Sequence, residues 1–102
     1  MAGSTQAGTI KILWTLATVD FASTNAQKST DSSSITITGA ALGDPVILGS
    51  ETSGATPIDS CYTAFVSAAD TVLVRYNNYS SGALDPASQV FHIGVVKLQA
   101  YS

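Results

Sequence analysis

Apolar and polar residues alternate with a period of two over most of this chain, and clusters of Gly, Pro, Ser, Asn and Asp interrupt the alternation. From Thr71 to Asn77 it is uninterrupted. Val72, Val74 and Tyr76 fall on one side of a pleated strand and Thr71, Leu73, Arg75 and Asn77 on the other, the pattern of a sheet packed on one face. Ile10 to Phe21 reads as a long extended segment. Leu13, Ala17, Val19 and Phe21 share one parity there and Trp14 and Leu16 take the other, so both faces are expected to be covered. Ser34 to Gly39 alternates Ile35 and Ile37 with Thr36 and Thr38, and Val46 to Leu48 follows Pro45 as a short apolar strand. Cys61 to Ser67 and Gln89 to Gln99 supply two more strands. The polar stretch from Ala22 to Ser33 predicts a surface loop, as do Ser50 to Pro57 and Asn77 to Ser88. No window has helical periodicity.

These elements predict an all-β fold, an antiparallel β-sandwich of Greek-key or jelly-roll-like type with roughly six or seven strands. It is expected to form a single domain over residues 10–102. Residues 1–9, rich in Gly, Ser, Thr and Ala, predict a mobile N-terminal arm. Asp20, Asp31, Asp44, Asp59, Asp70 and Asp85 recur at the edges of apolar runs. They read as turn punctuation, because an Asp carboxylate accepts bonds from nearby backbone amides and Asp44-Pro45 and Asp85-Pro86 add a fixed φ. The alternating ligand loop of an EF-hand is absent.

Charge narrows the possible partners. Only 11% of the 102 residues are charged, against 45% hydrophobic, where soluble monomers usually carry about 25% charged residues. So few charges predict a chain that self-associates or docks on a larger assembly. The net charge of -3 and four scattered cations, Lys11, Lys28, Arg75 and Lys97, offer no basic stripe for phosphates, so no nucleic acid is expected as a partner. No apolar run approaches the roughly 20 residues of a membrane-spanning helix, and no membrane partner is expected. The first residues lack the charged and apolar regions of a secretory signal.

Candidate chemistry is sparse. Cys61 is the single cysteine and His92 the single histidine, so neither a disulfide framework nor a Cys/His metal site is expected. His92 is expected to face opposite to Phe91, Ile93 and Val95. No nucleophile is placed beside it by local sequence, and the chain is expected to be non-enzymatic, with no catalytic, metal or cofactor residues. Arg75, mid-strand, predicts a cross-strand or intersubunit ion pair with an aspartate. Tyr76 and Tyr79, with Asn77 and Asn78, read first as strand-end packing and turn formers, and alternatively as an aromatic and amide surface for a partner or a sugar. The candidate interface residues are therefore Ile10, Ile12, Trp14, Arg75, Tyr76 and Tyr79.

Several segments add a resemblance. Gly39, Ala40, Gly43 and Asp44 form a strand-ending turn, followed by Tyr62 to Thr71, Val74 to Asn78 and Asp85 to Ser88. With Ala17 to Thr24, they resemble in order a module of tailed-bacteriophage virion structural proteins, over residues 17–96. The resemblance implies a β-sandwich carried on phage particles, either as a free capsid decoration (cement) protein or within fibre and spike chains. For the former it implies location on the outer capsid surface, the major capsid protein as partner, and a homotrimer over gaps between capsid subunits. For the latter it implies a contribution to host receptor or glycan binding.

Overall fold

A computed structural model of the chain describes residues 5, 7–51 and 57–100. Residues 1–4 and 6 of the expected arm, and 52–56 of the expected loop, lie outside the described residues. The described residues form seven strands: β1 (Gly8–Val19), β2 (Ser29–Asp31), β3 (Ile35–Thr36), β4 (Val46–Ser50), β5 (Ser60–Ala68), β6 (Thr71–Asn78) and β7 (Gln89–Ala100). β7 lies between β1 and β4 in one sheet. In the other, β6 lies between β5 on one side and β2 and β3, end to end, on the other. Every pairing is antiparallel. The two sheets pack face to face as the expected β-sandwich, and only β5 and β6 form a simple hairpin; the other connections between paired strands cross from sheet to sheet.

The core is built by the two central strands. Val72, Val74 and Tyr76 of β6 are fully buried, and Phe91, Ile93 and Val95 of β7 are at most 1% exposed. These are two uninterrupted runs of alternate positions, because a central strand has one face turned to the opposing sheet along its length. At one end of the core, four rings meet. Tyr62 lies 5.3 Å from Tyr76 and 4.9 Å from Phe91, centroid to centroid, and Phe21 lies 5.6 Å from Tyr62. Such offset and edge contacts add to the gain from burial.

The segment expected as a loop from Ala22 to Ser33 contains a strand. Ser29, Thr30 and Asp31 pair with Asn77, Tyr76 and Arg75, but Ile35 and Thr36 pair with Val72 and Thr71, a register shifted by one residue. The extra residue forms a bulge. Ser32 fills it: its amide donates to the Val74 carbonyl at 2.8 Å and its Oγ accepts from the Val74 amide at 3.0 Å. The strand escaped sequence reading because it is an edge strand held by backbone and polar bonds, with only Thr30 on the inward side. The bulge also shortens the strand expected over Ser34 to Gly39 to Ile35 and Thr36. Ile37 is buried, but its amide turns to the Asp70 carbonyl at 3.0 Å.

Asp44, Asp59 and Asp70 mark turns as expected, whereas Asp31 lies within β2. Asp59 and Asp70 take φ of 64° and 58°, a region where Asp is among the better tolerated residues. Asp70 closes the β5–β6 hairpin, and its Oδ1 accepts from the Gly39 amide at 2.7 Å. Gly39 has φ 99°, a conformation that favours glycine, and a Cβ there would also press on Leu13 Cδ1 at 2.9 Å.

β1 and β7 are longer than the sandwich needs. Twelve residues each extend about 40 Å at the usual strand rise, whereas β6 has eight. The radius of gyration is 15.7 Å and the longest dimension 51 Å, against about 13 Å expected for a compact chain of this length. The excess is a two-stranded ribbon, Gly8 to Ile12 paired with Val96 to Ala100, that overhangs the second sheet. β1 thus reaches back to Gly8, into the segment expected to be arm.

Candidate docking face

The outward side of the β1–β7–β4 sheet follows from its register. Residues directly opposite in an antiparallel pair point to the same face, and Ile10, Ile12, Trp14 and Leu16 stand opposite Leu98, Val96, Gly94 and His92. Ile47 and Gly49 of β4 stand opposite Gly94 and His92 from the other side. The outer face is therefore a continuous apolar field running from the ribbon to Leu16. Ile10 and Trp14 are each 68% exposed, Leu98 69%, Ile47 54%, Ile12 51% and Leu16 49%. Together they leave on the order of 700 Å² uncovered, more than the roughly 300–600 Å² of the largest apolar patch on a typical monomer.

Glycine shapes this field. Gly94 lies at its centre between Trp14 and Ile47, and a Cβ there would come within 3.4 Å of Ile12 Cγ2 and 3.8 Å of Ile47 Cβ. The missing side chain lets the Ile12 and Ile47 side chains approach over β7. The other side of the ribbon is polar: Thr9 and Lys11 stand opposite Gln99 and Lys97, and Lys97 Nζ donates to Asp44 Oδ2 at 2.6 Å. That bond, with one from the Ala41 amide, holds the Asp44 carboxyl below the ordinary aspartate range. At the edge of the apolar face His92 Nε2 and Glu51 Oε2 share a hydrogen bond at 2.6 Å.

Of the six residues expected at an interface, the structure brings Ile10, Ile12 and Trp14 together on this face. Leu16, Ile47 and Leu98 join them and were missed. The signal was present in β1, where both parities are apolar. The expectation that both faces of this segment are covered is corrected: among the described residues Leu13, Thr15, Ala17, Val19 and Phe21 lie on the side of the second layer, and Ile12, Trp14 and Leu16 lie on the uncovered side.

The other three candidates lie elsewhere. Tyr76 is not an interface residue. It is fully buried, since it shares the parity of Val72 and Val74, and its hydroxyl has no hydrogen-bond partner among the described residues. Arg75, on the outer side of the second sheet, makes the expected cross-strand pair: Nε and Nη2 donate to Asp31 Oδ1 and Oδ2 at 2.6 and 3.1 Å. This fork lowers the Asp31 pKa and raises that of Arg75. Its Cζ also lies 4.7 Å above the Phe65 ring centroid, so the guanidinium is engaged within the chain. Tyr79 is 62% exposed, with its Oη 3.9 Å from Cys61 Sγ, whose contact raises the Tyr79 pKa.

Asn77 and Asn78 do not form an amide surface. Asn78 is 1% exposed and fastens the loop that carries Tyr79. Its Nδ2 donates to the carbonyls of Thr24 at 2.9 Å, Asn25 at 3.2 Å and Gly82 at 2.9 Å, while Oδ1 accepts from Ser80 N at 2.9 Å. Asn77 accepts from Ser29 Oγ at 2.9 Å and donates to Thr63 Oγ1 at 3.2 Å.

A cleft of about 370 Å³ lies between the end of β1 and the bulged β2–β3 edge, lined by Thr18, Asp20, Phe21, Thr30, Asp31 and Ser33 among others. Its Asp31 is already committed to Arg75. Among the described residues no group of three or more His, Cys, Asp or Glu is placed to hold a metal ion, and no helix is long and apolar enough to cross a membrane. No family model, curated protein or solved structure matches the chain.

Proposed function

We propose that this chain is a non-enzymatic virion structural protein, a capsid decoration (cement) protein located on the outer capsid surface. The outer face of the β1–β7–β4 sheet docks on the shell and stabilises contacts between major capsid subunits. The observation that carries this reading is the continuous apolar field of Ile10, Ile12, Trp14, Leu16, Ile47 and Leu98, each about half exposed or more. It is nearly free of charge, its area approaches the about 800 Å² per partner of a standard protein interface, and the overhanging ribbon extends it beyond the body of the sandwich. Burial of such a face is favourable without any single strong contact, and repetition by capsid symmetry multiplies a weak site. No nucleic acid, membrane or cofactor enters this role.

The test adds purified chain to shells assembled from the major capsid protein alone and measures co-sedimentation and heat resistance of the shells. The chain is expected to bind and to raise the temperature at which shells open. Trp14→Ser with Leu98→Ser, both at exposed positions, is expected to abolish binding in a protein that still folds. Binding unaffected by this double change would overturn the assignment of the face.

One observation favours a second reading, a fibre or spike component that binds a host receptor or glycan. Tyr79 presents an exposed ring on a loop fixed by Asn78, and a rigid aromatic is a common anchor in recognition. That reading expects Tyr79→Ala to reduce adsorption of particles to host cells without affecting shell stability.

A further inference from the structure

Sheets have edges, and natural proteins protect them against pairing with other chains by bulges, Pro, charge or shortness. The β2–β3 edge is broken by the bulge at Ser32 and carries Asp31. β4 has only five residues, directly follows Pro45 and is flanked across the sandwich by β5, which is itself bulged between Val66 and Ala68. Of these devices β1 has only one charge. It keeps one register with β7 over all twelve residues and contains no Pro. Its single charge is Lys11, and its other edge pairs with no strand among the described residues. The cleft where Thr18 and Val19 stand apart from β2–β3 leaves this edge open.

The strand is also complementary to itself. When two copies of β1 run antiparallel with Leu13 opposite Leu13, Ile10 meets Leu16 and Ile12 meets Trp14, so all four outward apolar residues face apolar partners. Lys11 meets Thr15, and the two lysines stay apart. A shift by two residues sets Leu16 against Gly8 in one direction or Ile10 against Thr18 in the other. A slip of one residue places the outer row of one copy on the inner side of its partner, which the pleat forbids for a matched sheet.

We propose that β1 pairs edge to edge with β1 of a second copy about a two-fold axis at Leu13, forming one six-stranded sheet. This goes beyond the docking role and does not depend on it, because edge pairing satisfies backbone groups of β1 and leaves the outer face free. The paired molecule presents the apolar field twice over in one continuous surface. The building unit is then a two-fold pair instead of the trimer implied by the resemblance.

The experiment uses the free chain without capsid. Sedimentation velocity from roughly 1 µM to roughly 1 mM follows the monomer–dimer equilibrium by mass action. Thr15→Lys sets like charges opposite each other at two symmetry-related positions and is expected to raise the dissociation constant about tenfold at low salt. Thr15→Glu sets Glu against Lys11 and is expected to lower it, and Lys11→Glu combined with Thr15→Lys restores wild-type association. General damage at this position moves both single variants the same way, and that result overturns the register. Amide hydrogen exchange of the unaltered chain needs no variant: protection that rises with concentration is expected at alternate amides of β1 and not in β4 or β5. A monomer throughout the range, or a trimer whose β1 amides gain no protection, overturns the proposal.

Discussion

Trp14 stands directly opposite Gly94 in the β1–β7 ladder, on the side of the sheet that no second layer of the described residues covers. One residue back along β7, Ile93 is 1% exposed against the opposing sheet. A single ladder thus separates a face built for folding from one that folding leaves unused. An indole 68% exposed contributes little burial to the folded chain, while its transfer from water on docking is favourable by the usual area rule.

Paired substitutions on the two sides of this ladder should therefore behave oppositely. Trp14→Ser is expected to change unfolding free energy by less than about 1 kcal/mol, as surface changes usually do. Phe91→Ala, at a fully buried ring, is expected to cost about 3–5 kcal/mol. Urea denaturation of the two variants checks both values, and a large loss for Trp14→Ser would mean that the outer face is covered in the folded monomer.

The rings of Tyr76 and Tyr62 meet at 5.3 Å, tilted by 45°, yet their hydroxyls have different surroundings. Tyr76 Oη is buried with no partner among the described residues, whereas Tyr62 Oη accepts from Gln89 Nε2 at 2.7 Å. An unpaired buried hydroxyl carries its desolvation cost uncompensated. Tyr76→Phe is expected to leave stability unchanged or raise it by up to about 1 kcal/mol, and Tyr62→Phe to lower it by about 1–2 kcal/mol. Melting curves of the two variants separate these outcomes.

The central strands were legible in the sequence because burial on one face imposes a period of two, and Val72, Val74 and Tyr76 followed it without exception. The same alternation already placed Tyr76 with the core; its assignment to an interface weighed its residue type above its parity. β2 was not legible, since Ser29, Thr30 and Asp31 are held by a backbone ladder and by Asn77 and Arg75, residues more than forty positions away. Half of the docking face was legible from Ile10, Ile12 and Trp14. Leu98 and Ile47 join it only through the order of β1, β7 and β4, which local pattern does not contain. Asn78 looked like a turn former and is instead a buried clamp, because its role is set by the approach of the Thr24 and Gly82 carbonyls.

That clamp yields a prediction about the Tyr79 loop. Asn78→Ala removes bonds to three carbonyls and to Ser80 at a position 1% exposed. Several buried groups then lose partners, for an expected loss of about 2–4 kcal/mol. Hydrogen exchange is expected to quicken at Thr24 and Leu84, whose amides bond each other's carbonyls at 2.8 and 3.0 Å, while the β7 core amides keep their order of protection. A variant as stable as the wild type would show that the network contributes nothing net.

Acid should loosen the two carboxylate pairs. The Lys97 ammonium, with the Ala41 amide, holds Asp44 below its ordinary value near 3.8, and the Arg75 fork does the same for Asp31. Both groups bind a proton more weakly in the folded chain than in the unfolded one. Their contribution is therefore fully present above the ordinary aspartate value and is lost as pH falls from there through the lowered native values. The Asp31–Arg75 pair is about two-fifths exposed on each side, so its share is small and screened by salt. The Asp44–Lys97 pair is less exposed, at 17% and 24%, and ties the ribbon of β7 to the turn before β4. Urea midpoints measured from pH 5 to pH 2 are expected to fall for the wild type. Asp44→Asn is expected to start lower at pH 5 and to fall less, and Asp31→Asn to change the slope less than Asp44→Asn does. An Asp44→Asn protein whose stability falls with acid as steeply as the wild type would place the acid sensitivity in other groups.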